Sequence, residues 1–216
     1  MKNLVLRIIT SFVLGSIFWV SFVYLPPRVF SIILAFVLMH IIMVEWKTVF
    51  PIRSYKSWLL VPLYPMLSFM LMIFMNENVL YHHLLLYLFV ILAGFDSGSY
   101  IVGSLTGKHI IMPTVSPQKT WEGFAGGYIF ALLGFWLIAW ERGSQVSFLF
   151  ALIFITFAAI FALLGDLFES YLKRRASIKD TGVILPGHGG FLDRFDGILF
   201  TAVLFYLMRD WLAPLL

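Results

Sequence analysis

Seven stretches of mostly apolar residues, each near the length a helix needs to cross a bilayer, leave this chain few choices of fold. They run roughly from Leu4 to Leu25, Val29 to Val44, Ser57 to Met75, Leu80 to Val102, Gly123 to Trp140, Val146 to Ser170 and Phe191 to Leu212. Crossing the hydrocarbon core takes about 20 helical residues, and backbone in lipid must satisfy its own hydrogen bonds. The expected fold is therefore all-α, a polytopic integral membrane helix bundle of about seven transmembrane helices. Breakers fall between the runs: Pro26 and Pro27 after the first, Asn76-Glu77-Asn78 after the third, Gly143 and Ser144 after the fifth. The first run follows only Lys2, Asn3 and an early Arg7 and has no A-x-A-like site, so it is expected to persist as a helix. The second is short and is expected to tilt little or to be partly buried.

Composition agrees with this class. Hydrophobic residues make up 61% of the 216 positions and charged ones 12%, against roughly 25% charged in an ordinary soluble domain. No polar stretch is long enough for a separate soluble domain, so a single membrane domain over residues 1–216 is expected. Disordered, collagen-like and nucleic-acid-binding classes fall away. The chain has no cysteine, which excludes disulfides, thiolate metal sites and a cysteine nucleophile. The formal charge of +4 implies no polyanionic partner by itself, because cytoplasmic loops of membrane proteins are basic. With the N-terminus inside, twelve of the fifteen lysines and arginines fall on the cytoplasmic side and only Arg28, Arg142 and Arg209 on the other. The polar loops 103–122 and 171–190 then share the cytoplasmic face.

Ionisable residues at membrane depth need a partner or a wet cavity. Asp166 and Glu169 stand three apart, as do Asp193 and Asp196, so each pair shares one helix face at the end of a span. Four converging carboxylates repel one another unless cations intervene, and a hard divalent ion such as Mg²⁺ meets that need, with a second metal ion left open. The competing reading is that these acids merely neutralise Lys173, Arg174, Arg175 and Arg194. Asp96 is a fifth acid, which either lines the same cavity or is held by Ser97 and Ser99. The first loop carries Lys108, Ser116, Lys119 and Glu122, with a turn at Ser116-Pro117 and Thr120 placed to cap the next helix. Amides at that helix start, together with a lysine, are expected to bind phosphate. In the second loop, glycines around His188 allow close backbone approach to a ligand. Phosphates, metal and an apolar cavity together imply phosphoryl or nucleotidyl transfer on a lipid, chemistry that needs positioning and neutralisation more than a nucleophile. There is no Walker-type loop, dinucleotide fingerprint or Ser-His-Asp order.

The run Ser170 to Asp196, SYLKRRASIKDTGVILPGHGGFLDRFD, resembles the signature of the phosphatidate cytidylyltransferases, the CDP-diacylglycerol synthases. That signature reads approximately S-x-x-K-R-x4-K-D followed by P-x-H-G-G-x-x-D-R-x-D, and every fixed letter is matched. Two further blocks of the family recur, SPQKTWEG from Ser116 and GDLFES from Gly165. The matching blocks begin near residue 94, which makes 94–216 the catalytic helices and loops and 1–93 a set of N-terminal helices shortened relative to many members. The resemblance implies an integral membrane enzyme that joins CTP to phosphatidate with Mg²⁺, releasing pyrophosphate and CDP-diacylglycerol, and the small size of the chain points to a bacterial inner membrane. Its site would hold metal on Asp166, Glu169, Asp193 and Asp196. Lys173, Arg174, Lys179, Asp180, His188 and Arg194 would form the catalytic set, and Ser116, Lys119, Glu122, Lys179, His188 and Gly189 would bind nucleotide or phosphate. A homodimer is left open. Rival readings are a CTP-dependent lipid or polyprenol kinase, a CDP-alcohol phosphotransferase and an ion transporter. Asp193-x-x-Asp196-Gly197 opens the phosphotransferase motif, but Phe200 and Thr201 stand where that motif has Ala and Arg.

Overall fold

The computed structural model describes residues 2–50, 55–187 and 189–216, with the side chains of 2–8, 11 and 56 outside that description. Helices account for 77% of the chain, and the one sheet among the described residues is a two-stranded hairpin, which makes the fold all-α. Helix α1 covers Lys2–Val23. Helix α2 (Pro27–His40) continues through a π-helical turn, Ile41–Glu45, into α3 (Trp46–Val49). In the same way α4 (Tyr55–Val61) passes through a second π-helical turn, Pro62–Met66, into α5 (Leu67–Glu77). Helix α6 (His82–Thr106) leads into strands β1 (Ile110–Met112) and β2 (Ser116–Thr120), and then come α7 (Trp121–Arg142), α8 (Phe148–Arg175) and α9 (Leu192–Leu212).

Five of the seven expected spans are long and apolar enough to cross a membrane: Pro27–Val49, Ser57–Glu77, His82–Thr106, Trp121–Arg142 and Phe148–Arg175. The first expected span is helical, but its described apolar part, Phe12–Val23, is shorter. The last is helical too, yet it carries Asp193, Arg194 and Asp196 at one end and Arg209 and Asp210 at the other. The second span is longer than its apolar run suggests. A π-helical turn accommodates an extra residue without ending the helix. The helix therefore continues past Glu45, whose side chain is fully buried, instead of stopping at Val44.

Local chemistry sets the ends. Pro27 occupies the first position of α2, where a missing N–H costs nothing. Gly143 closes α7 at φ 68°, a left-handed conformation that returns its N–H to the last turn. Thr120 caps α7 as expected, its hydroxyl accepting from Gly123 N at 3.1 Å. Helices α6 and α7 pack so closely that a Cβ on Gly127 would lie 2.2 Å from Ser99 Oγ and 2.6 Å from the Phe95 carbonyl oxygen. Small residues at such crossings are the usual device of membrane bundles. Phe69, Phe135, Phe154 and Phe205 fill the core. Large side chains such as Phe12, Trp58, Leu137 and Trp140 stay exposed, as helices solvated by lipid require.

The bundle has two ends with different character. At one, Asn76 Nδ2 donates to the Pro27 carbonyl at 2.6 Å and the Tyr81 hydroxyl to Asp210 Oδ1 at 2.5 Å, while the Ser144 hydroxyl donates to the Leu216 carbonyl at 2.7 Å. At the other lie the β-hairpin and the 176–191 loop, and Arg174 Nε at the end of α8 donates to the hairpin's Val115 carbonyl at 3.3 Å.

Candidate active site

The last turns of α8 and the first turn of α9 carry the two acid pairs. On α8, Glu169 and Lys173 are four residues apart and so stack on one face. Lys173 Nζ lies 2.7 Å from Glu169 Oε2 and 2.9 Å from Asp193 Oδ1 on α9. Both carboxylates are buried, with Glu169 at 1% exposure and Asp193 at 5%. Glu169 Oε1 is buried and has no hydrogen-bond partner. Asp166, one turn earlier, pairs with Lys119 from β2. Asp196 is half-buried, and its Oδ1 accepts from Gly197 N at 2.8 Å. Asp96 on α6 is exposed, within electrostatic reach of Asp196, Lys119 and Arg194, and no hydrogen bond ties it to Ser97 or Ser99.

Asp193, expected among metal ligands, is already fully engaged. Beyond Lys173 on Oδ1, its Oδ2 accepts from Thr181 N at 2.9 Å, Thr181 Oγ1 at 3.0 Å and Gly190 N at 2.7 Å. In this arrangement it clamps the loop to the helix, and Glu169, Asp196 and Asp166 are the acids with oxygens to offer.

The first loop differs from its expected form. Ser116–Thr120 is a strand, not a turn, and pairs antiparallel with Ile110–Met112, so Ser116 faces Met112 and Lys119 is carried toward α8. Glu122, expected near nucleotide, instead closes the hairpin: its Oε2 accepts from Lys108 N at 3.1 Å and His109 N at 3.2 Å, and its Oε1 lies 2.5 Å from His109 Nδ1. Amides at the start of α7 are also engaged, Trp121 N with the His109 carbonyl and Gly123 N with Thr120. These two amides are thus not open to a phosphate, and Lys119 is held by Asp166.

Arg174 at the end of α8, Lys179 and Asp180 in the second loop and Arg194 in the first turn of α9 are exposed. Leu185 and Gly189 bridge each other, Leu185 N to Gly189 O at 2.9 Å, and Gly189 stands at φ 84°. His188 lies outside the described residues. Two buried groups near the site escaped the sequence reading. Glu45 lies at the end of an apolar run, where a charge reads as a boundary. Tyr64 sits in a helix of ordinary apolar pattern, but its hydroxyl is buried without a partner near Glu169 and Asp196.

Five acids, Asp96, Asp166, Glu169, Asp193 and Asp196, and the cations Lys119, Lys173 and Arg194 gather here, with Arg174 also at this end. These carboxylates, with one Glu169 oxygen unsatisfied, suit a hard divalent cation. Among the described residues no three acid or histidine side chains form a ready metal cage. That is compatible with Mg²⁺, which is usually held by one or two carboxylates while substrate phosphates and water supply the rest.

The model of the cytidylyltransferase family matches residues 52–212, a stretch that takes in the hairpin, both acid pairs and the loop between them. The chain belongs to the cytidylyltransferase family. This cytidylyltransferase-family chain is 43% identical over 122 residues to the phosphatidate cytidylyltransferase of Bacillus subtilis, covering 56% of the chain and 45% of that protein. It is 42% identical over 126 residues to that of Staphylococcus haemolyticus, covering 58% and 48%. Against that of Mycobacterium tuberculosis it is 47% identical over 108 residues, covering 50% and 33%. The aligned stretches span about half the length, or less, of these curated relatives.

Proposed function

We propose that this chain transfers the cytidylyl group of CTP to phosphatidate, giving CDP-diacylglycerol and pyrophosphate for phospholipid synthesis. The observation that carries this reading is the charge-compensated cluster at one end of an apolar bundle. There Lys119 and Lys173 are each paired with carboxylates, and Lys173 shares Asp193 with the loop that bears Lys179. The names of the relatives point to the same reaction.

The chemistry needs little from the protein beyond placement and neutralisation. A phosphate oxygen of phosphatidate, anionic near neutral pH, forms a bond to the α-phosphorus of CTP. The bond from that phosphorus to the α,β-bridging oxygen breaks, and pyrophosphate leaves with the electron pair. No proton has to be removed from the nucleophile. Lys119, Lys173, Arg174, Lys179 and Arg194 would hold the crowded phosphates, exchanging a carboxylate partner for a phosphate one at Lys119 and Lys173. Ser116 and Gly189 would give close approach beside them. Glu169, Asp196 and Asp166 would hold Mg²⁺, whose contribution is to neutralise phosphate charge as it redistributes during displacement. The acyl chains stay in the bilayer and CTP arrives from water. The site-bearing end is read as cytoplasmic, in the plasma membrane of a bacterium, because that end carries most of the lysines and arginines.

Purified protein in lipid nanodiscs, given phosphatidate, Mg²⁺ and CTP labelled on the α-phosphorus, should form a labelled lipid and unlabelled pyrophosphate. Entry of a γ-label into lipid, or lipid turnover without CTP, would overturn the proposal in favour of a kinase or a phosphotransferase.

A further inference from the structure

Glu45 lies outside the family match at 52–212 and outside the paired-acid pattern, yet it is the most completely enclosed acid described, at 0% exposure. It stands on the π-helical turn between α2 and α3 and reaches across 146 residues of sequence to the start of α9. Its Oε1 accepts from Phe191 N at 2.7 Å and its Oε2 from Leu192 N at 2.7 Å. Amides at a helix start have no carbonyl within the helix to bond, so a carboxylate with two acceptor oxygens satisfies both and also meets the positive end of the helix dipole. His40 Nε2 lies 3.4 Å from Oε1, and Thr181 Oγ1 lies 3.4 Å from Oε2.

The same few atoms connect this clamp to the site. The Thr181 hydroxyl also reaches Asp193 Oδ2, and the Thr181 carbonyl accepts from Thr48 Oγ1 at 3.0 Å. Gly190 leaves room for the clamp, because a Cβ there would lie 2.7 Å from Glu45 Cδ. The loop is thus gripped by Asp193 at Thr181 and Gly190 and by Glu45 at Phe191 and Leu192.

We propose that Glu45 is a positioning residue for cytidylyl transfer. It fixes the first turn of α9, and through it Asp193 and Asp196, against Glu169 and Lys173 on α8. The proposal rests on the reaction given above. A glutamine at 45 offers one acceptor and turns an NH₂ donor toward an N–H donor, so one amide loses its partner. Aspartate keeps both acceptors on a stem one methylene shorter.

The test compares wild type, Glu45→Gln and Glu45→Asp in nanodiscs. It reads steady-state turnover with CTP and phosphatidate, together with hydrogen exchange of peptides covering 189–196. In Glu45→Gln, kcat per folded molecule should fall on the order of 10- to 100-fold, as loss of placement does, with the KM for CTP within about twofold. Exchange at Phe191 and Leu192 should quicken while peptides from α6 and α7 stay unchanged, and Glu45→Asp should recover part of kcat. Wild-type kcat with both amides still protected in Glu45→Gln would overturn the proposal, and so would lost activity that merely tracks lost folded protein. If Glu45→Gln does not fold, Thr48→Val loosens the same loop and should lower kcat by about threefold with faster exchange at 181–192. No change in either reading would again overturn it. Should wild type itself fail to turn over CTP with phosphatidate, the reaction is wrong, and the exchange data still decide whether Glu45 holds α9.

Discussion

Lys173→Met removes the one cation shared by two buried carboxylates, and its cost can be worked from the contacts. The Lys173 side chain is only 14% exposed and lies 2.7 Å from Glu169 and 2.9 Å from Asp193. Removing one partner of a buried ion pair costs about 3–5 kcal/mol, because it leaves an uncompensated charge. Asp193 keeps three donors from Thr181 and Gly190, so its share is small. Glu169, with one oxygen already unpartnered, bears most of the loss, which places the expected value near the lower bound, about 3 kcal/mol. In a protein of this size that corresponds to a fall of about 6–12 °C in Tm. Lys173→Met combined with Glu169→Gln should recover most of the loss, since no unpaired charge then remains. Seven tryptophans allow unfolding in detergent to be followed by intrinsic fluorescence, at one scan rate for all variants. A single variant within about 0.5 kcal/mol of wild type, or a double variant as unstable as the single one, would refute the ion-pair account.

Gly127→Ala forces a methyl into the α6–α7 contact, where Ser99 Oγ would lie at 2.2 Å; destabilisation of about 1–3 kcal/mol is expected in the same fluorescence assay. Asp196→Asn should insert and fold normally yet lose turnover on the order of 100-fold and respond more weakly to added Mg²⁺; a near-normal rate removes Asp196 from the metal site. Lys179→Ala should chiefly raise the CTP concentration needed for half-maximal rate, and an unchanged CTP response removes Lys179 from the triphosphate.

Most helices could be read from apolar run length, because in lipid that length is fixed by bilayer thickness, and the Thr120 cap followed from local chemistry, whereas Pro27, taken as a breaker, opens α2. The second apolar run ends at Val44, where a glutamate follows, and so is shorter than the helix. Only the π-helical turn and the amides of Phe191 and Leu192, 146 positions away, make a buried charge tolerable there. The hairpin was read as a turn, since strands of three and five residues with a proline carry almost no periodic signal. At the site, spacing alone set Asp166 with Glu169 and Asp193 with Asp196 on common faces. It could not show that Lys119 and Lys173 neutralise these acids, or that Glu122 is occupied by His109, because those pairings depend on how separate elements pack.

The central requirement is that the hairpin and the 176–191 loop share one membrane face and enclose one nucleotide site. The absence of native cysteine permits a clean test with single cysteines at Gln118, Val183 and Val79, all exposed positions. An impermeant maleimide applied to sealed vesicles of known orientation should label Gln118→Cys and Val183→Cys from the same side, with CTP slowing both, and Val79→Cys only from the opposite side. Labelling of the first two from opposite faces would contradict the site proposed here.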